Sequence, residues 1–391
     1  MDLEFWWLLA LPLFFALGWL AARIDIKQLV SESRALPLSY FKGLNFLLNE
    51  QPDKAIEAFI EVVKVDPQTV ELHFALGNLF RRRGELERAI RMHQNLVERP
   101  DLHEEQKLAA LFELAQDYLK AGLLDRAEEL FLRLEGTPHA EAALKFLLEI
   151  YQQEKDWQKA IGIAEKLEAV TGRSHQKEIA NFFCEIASGE MMHSRPEAAR
   201  APLEEALKHH RLCVRANVLL GDLEARRGNL DAAVEAWKRI ESQNPAFLAL
   251  VAERIYDAYR ERGREDEGLN LLRAYLEKYP SLDALNVVFQ ATLERQGAEP
   301  AYRLVRDELR RTPTLLGLDK LLEAQLLEAP IDRRRDLELI RGLVNQHTQG
   351  LAMYKCDNCG FRARQYYWHC PACASWETYS PRRTEEKAIP A

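Results

Sequence analysis

The 391-residue chain carries a formal charge of −8 and a sequence pI near 5.8. That balance excludes general nucleic-acid binding, because phosphate contacts need a basic face that the whole chain does not supply. With 47% hydrophobic and 29% charged residues, it has ample material for a folded core larger than one ordinary domain. Its six cysteines do not suggest a disulfide scaffold, and two of them, Cys184 and Cys213, fall in helical apolar patterns that predict small buried thiols.

From Phe5 to Ala22 no residue is charged, a run long enough at about 1.5 Å per residue to cross most of a hydrocarbon core. Met1–Ala22 therefore reads as one transmembrane helix, with Trp6, Trp7 and Trp19 towards its ends, where aromatic rings prefer the headgroup region. A cleaved signal peptide is the weaker alternative, since Asp2 and Glu4 stand where a positive n-region belongs. Arg23, Lys27 and Arg34 follow the run in a juxtamembrane linker, residues 23–35, and place the remainder of the chain in the cytoplasm by the positive-inside rule. That compartment is reducing.

Residues 36–350 repeat themselves. An apolar residue, often small, is followed twelve positions later by a small one at Gly43 and Ala55, Gly77 and Ala89, Ala115 and Ala127, and Leu148 and Ala160. The series continues at Ala187 and Ala199, Gly221 and Ala233, Tyr256 and Gly268, and Phe289 and Ala301. Its period of about 34 matches the tetratricopeptide repeat, a helix, a short turn and a helix, so the expected fold is an all-α solenoid. Gly84, Gly122, Gly228 and Gly263 mark the turns, and Pro67, Pro245, Pro280 and Pro313 close units. Phe59, Phe131, Trp237 and Leu272 follow the second small residue by four and are expected to bury against the next unit. Two further helices, Leu315 to Glu328 and Arg333 to His347, finish the array; the Arg333 to Arg335 run at the start of the last reads as a solvated face, with an acidic partner or anionic headgroup held there as the alternative. Asn78, Arg81, Gln116 and Asp222 fall at phases facing the concave groove, where such solenoids bind partners.

Residues 351–381 form a different unit. Cys356 and Cys359, then Cys370 and Cys373, make two Cys-x-x-Cys pairs ten residues apart, the pattern of a single tetrahedral ion, zinc or rubredoxin-type iron. Two disulfides are the alternative, disfavoured by the reducing compartment. Gly360 follows the first pair, where a turn that folds amides towards sulfur needs positive φ. His369 precedes Cys370 and is assigned to packing or hydrogen bonding, since four sulfurs complete the shell. Around the pairs lie Tyr354, Phe361, Tyr366, Tyr367, Trp368, Trp376 and Tyr379, a small aromatic core able to dock the unit onto the last helices. Residues 382–391 are a polar tail. The chain holds no Gly-rich phosphate loop with lysine, no Gly-x-Ser-x-Gly elbow and no His-Glu-x-x-His helix, so it is not read as an enzyme.

An apolar N-terminal run, a tetratricopeptide array and the stretches Tyr354-Lys-Cys-Asp-Asn-Cys-Gly-Phe and Tyr367-Trp-His-Cys-Pro-Ala-Cys-Ala-Ser-Trp together resemble the lipopolysaccharide assembly protein B family over essentially the full chain. The resemblance implies a single-pass inner-membrane adaptor of a Gram-negative bacterium, facing the cytoplasm, that helps the membrane protease FtsH degrade the deacetylase LpxC and so regulates lipopolysaccharide biosynthesis. It implies a rubredoxin-like domain whose metal ligands are Cys356, Cys359, Cys370 and Cys373. It brings other lipopolysaccharide assembly proteins, lipopolysaccharide itself and a second copy of the chain into view as partners, and no nucleic acid. Ala374 stands where rubredoxin motifs often place glycine, and the ten-residue gap is closer to a zinc ribbon. Two rival readings remain: a scaffold for lipopolysaccharide assembly enzymes without a proteolytic role, and a rubredoxin-like electron-transfer module.

Overall fold

The computed structural model describes residues 14–19, 38–65 and 69–388. Most of the apolar N-terminal run, the linker 23–35 and Pro67 lie outside them. Residues 14–19 are helical and exposed. Among the described residues no helix is long and apolar enough to cross a membrane.

The chain divides into two compact bodies at Ile150 and Tyr151. In the first, antiparallel hairpins pair Leu38–Leu48 with Pro52–Val65, Val70–Arg83 with Leu86–Glu98, and Glu104–Lys120 with Leu124–Arg133. The helix Ala140–Glu154 crosses the division and leads to Trp157–Thr171. In the second body Gln176–Met192 pairs with Pro196–His209, and Val214–Arg226 with Leu230–Gln243. A 3-10 turn, Pro245–Val251, then introduces Ala252–Glu261 with Glu265–Lys278. Leu282–Gln296 with Ala298–Arg311 and Leu315–Glu328 with Ile331–Thr348 complete the helical part. Each of the eight spaced pairs places its first member on one helix and its second on the next helix along the chain.

The pairing has a steric cause. A Cβ built on Gly43 would lie 2.4 Å from the Phe59 ring, and one on Gly221 would lie 2.2 Å from Trp237 Nε1. The residue four beyond the second small position therefore packs flat on the glycine of its own hairpin, not solely against the next unit, and the missing side chain is what lets the two backbones approach. His93 occupies the same place against Gly77. Gly84 ends its helix at φ 83°, with its N–H directed at the Arg81 carbonyl. The corresponding turns elsewhere hold Glu50, Lys155 and Ser194 at φ between 54° and 59°, a left-handed conformation reached without glycine.

Candidate metal centre and its docking face

The C-terminal unit begins with β1 (Tyr354–Lys355), antiparallel to β2 (Arg362–Ala363), with Tyr354 opposite Ala363. Two isolated bridges, Cys356 to Tyr379 and His369 to Trp376, close the remainder. Each Cys-x-x-Cys pair is a tight turn: Gly360 N–H donates to the Cys356 carbonyl at 3.0 Å and Ala374 N–H to the Cys370 carbonyl at 2.9 Å. Gly360 sits at φ 79° and Ala374 at φ 52°, so the second turn adopts the left-handed backbone with a Cβ in place.

These turns bring the four predicted cysteines together, all four sulfurs within 4.8 Å of one another. Cys356 and Cys373 are 3.8 Å apart and Cys359 and Cys370 are 3.7 Å apart. A tetrahedron with metal–sulfur bonds of about 2.3 Å has edges of about 3.8 Å, so the set fits one ion. The four-sulfur chemistry suits zinc and iron alike. Among the described residues this is the one group of three or more histidine, cysteine or acidic side chains arranged to hold a metal.

The surroundings favour the thiolate at Cys356 and Cys373. Burial opposes ionisation of Cys356, but Thr378, whose Oγ1 lies 3.2 Å from the sulfur, and the amides of Asn358 and Cys359 outweigh it and hold the thiol below its ordinary range. Ser375 and Asn358 bring the Cys373 thiol down to about 5. The Phe361 amide favours the Cys359 thiolate, yet desolvation and hydrogen bonding among its three neighbouring cysteines push it up to about 12. His369 stands apart from the sulfurs: its ring stacks on Trp376 at 4.3 Å and its Nε2 lies 3.0 Å from the Ala374 carbonyl.

The aromatic residues form the small core, with Tyr354 and Tyr379 buried and Tyr366 against Trp368 at 4.9 Å. They also dock it, though not on the last helices alone. Trp376 reaches the helix Ala140–Glu154, its indole N–H donating to Gln152 Oε1 at 3.0 Å, and packs edge-on against Trp157 and Phe182. Trp368 stacks on Phe247 at 5.6 Å. Tyr354 donates to Asp283 at 2.7 Å, and Arg383 pairs with the same carboxylate at 2.8 Å. The tail continues the attachment: Glu386 accepts from the Leu282 N–H at 2.9 Å, and Glu385 from the N–H groups of Leu315 and Leu316. Two carboxylates thus cap two helix N-termini from outside, where the dipole favours negative charge. The C-terminal unit lies along the first helices of successive hairpins, from Gln152 to Leu316.

The four groove-phase residues are placed differently. Arg81 donates to Asn78, to Glu113 at 2.5 Å and to Asp117 at 2.9 Å, and Asp117 in turn holds His93 Nδ1 at 2.5 Å. Asp117 and His93 are fully buried, so Asn78 and Arg81 belong to a structural network. Sequence reading missed His93, although its spacing from Ala89 is the one that buries Phe59. Asp222 pairs with Arg254 at 2.8 Å, and burial raises its carboxyl despite that cation. Gln116 is half-buried on Glu104–Lys120. Cys184 and Cys213 are fully buried as predicted, sulfurs 3.9 Å apart and away from the metal group.

Residues 354–381 match a family model described as "Rubredoxin metal binding domain", and residues 42–99 and 185–246 match "Tetratricopeptide repeat". The chain is 36% identical over 378 residues to lipopolysaccharide assembly protein B of Escherichia coli K12, covering 96% of this chain and 97% of that one. It is 33% identical over 394 residues to the protein of the same name from Haemophilus influenzae, covering 97% and 98%. Among solved structures, "Structure of Naa15/Naa10 bound to HypK-THB" aligns at 15% identity and TM-score 0.39, over 79% of this chain and 53% of that one.

Proposed function

Because the chain belongs to the lipopolysaccharide assembly protein B family, we propose that it is an inner-membrane-anchored, cytoplasm-facing adaptor that promotes degradation of the LpxC deacetylase by the FtsH protease. The observation that carries this reading is the docked C-terminal unit: the four cysteines belong to a ribbon built into a face of the repeat array. A surface assembled from helices distant in sequence suits the gripping of proteins. The uncharged run Phe5 to Ala22 supports anchoring in the membrane that holds the protease, and tethering raises effective concentration without requiring tight contacts.

In this reading Cys356, Cys359, Cys370 and Cys373 hold one metal ion whose role is structural. Thiolate binding energy is then folding energy for the ribbon. The deciding experiment is LpxC half-life in cells depleted of this protein. The half-life lengthens if the chain is an adaptor. An unchanged half-life alongside altered lipopolysaccharide assembly would favour the scaffold reading and defeat the adaptor.

A further inference from the structure

The face that Trp376 covers is chemically specific. Its indole meets Trp157 at 6.1 Å and Phe182 at 5.8 Å, both near perpendicular, the edge-to-face geometry aromatic rings prefer. The Arg215 guanidinium lies 5.6 Å from the ring, and Gln152 accepts the indole N–H. One residue on, Asn181 Nδ2 donates to the Glu377 carboxylate at 2.9 Å. Five side chains from four helices therefore serve two consecutive residues. Ala374 at φ 52° and Glu377 at φ 53° bracket the indole on a left-handed backbone that L residues rarely adopt.

The layer beneath is not a saturated core. Arg215 is 7% exposed, and while its Nη2 pairs with Glu185 at 2.6 Å its Nη1 has no partner; Asn181, fully buried, leaves Oδ1 unpaired. Interfaces between domains of one chain are more polar than permanent cores, and an unpaired buried polar group calls for a partner. We infer that Trp376 and Glu377 are an internal occupant of a peptide-binding site formed by Gln152, Trp157, Asn181, Phe182 and Arg215. When the ribbon undocks, the site takes a partner segment in which an aromatic residue is followed directly by an acidic one. The inference rests on the adaptor reading and adds the chemistry of what is gripped. The ribbon competes at the high effective concentration of a tether, so it keeps the site closed to weak ligands.

The test uses the full-length chain and a fluorescein-labelled peptide of the sequence from Ala374 to Tyr379, followed by anisotropy. Trp376→Ala and Glu377→Ala variants should each bind the peptide at least tenfold more tightly than the wild type, and adding Arg215→Ala should abolish that gain. Equal binding by wild type and variants, no binding by any, or insensitivity to Arg215→Ala would overturn the inference. Should Trp376→Ala fail to fold, hydrogen exchange of wild-type residues 366–379 at saturating peptide decides: faster exchange supports displacement, and unchanged exchange refutes it. Failure of the adaptor reading appears separately, in LpxC half-life, which this assay does not involve.

Discussion

Gly221→Ala adds a single methyl group at the tightest of the hairpin contacts. The new Cβ would stand 2.2 Å from Trp237 Nε1 and 2.4 Å from Cδ1, so ring or backbone must move by more than an ångström to reach ordinary contact. Trp237 is 1% exposed and its indole N–H donates to the Val218 carbonyl at 3.2 Å, so it has little room and a bond to lose. Overpacking of this kind costs about 1–3 kcal/mol, and the strained hydrogen bond about 1 kcal/mol more. Alanine's better helix propensity returns about 1 kcal/mol. The net expectation is destabilisation by about 2 kcal/mol, read as a lowered urea midpoint by tryptophan fluorescence. Gly189→Ala is the control, since nothing lies within 4 Å of its Cβ position on the helix Gln176–Met192; it should stabilise by up to about 1 kcal/mol. Equal responses of the two variants would refute the close-approach argument.

Arg81→Ala removes the cation from fully buried Asp117 and should lower stability by about 3 kcal/mol, seen as a lower thermal midpoint; a neutral result would show that the network is not structural. Ala374→Gly relieves a left-handed residue beside Cys373 and should raise the ribbon's resistance to thermal metal release by about 1 kcal/mol. Glu308 is buried, with Oε1 unpartnered, and burial raises its carboxyl above the unfolded value despite Arg311 3.3 Å away. Such a group contributes stability below the unfolded pKa that is lost as pH rises through the folded one. Glu308→Gln should therefore be more stable than wild type at pH 7 and no better at pH 4, by thermal midpoint; a pH-independent difference would contradict this.

The hairpins were legible because two backbones approach most closely where side chains are small, and that need recurs at Gly43, Gly77 and Gly221 with a small residue twelve positions on. The cysteine turns were legible for a similar reason, since both sulfurs of each pair must come from one short turn. What Trp376 touches was not legible. Its partners Gln152, Trp157, Phe182 and Arg215 lie more than 150 residues away, and no local period relates an indole in a loop to helices of other hairpins. Asn78 and Arg81 show the converse: helical phase alone suggested a groove, but Asp117, one repeat on, turns Arg81 to structural use. The uncharged N-terminal run falls largely outside the described residues, and its reading as a span rests on sequence alone.

The central claim is that one metal ion, held by four cysteines, keeps the ribbon folded and docked on the array. Hydrogen exchange of residues 366–379 before and after chelation of the purified chain tests it most directly, with metal content measured on the same samples. One equivalent of zinc or iron should be lost on chelation, and protection of the segment around Trp368 and Trp376 should collapse with it. Undiminished protection in metal-free protein would contradict the claim.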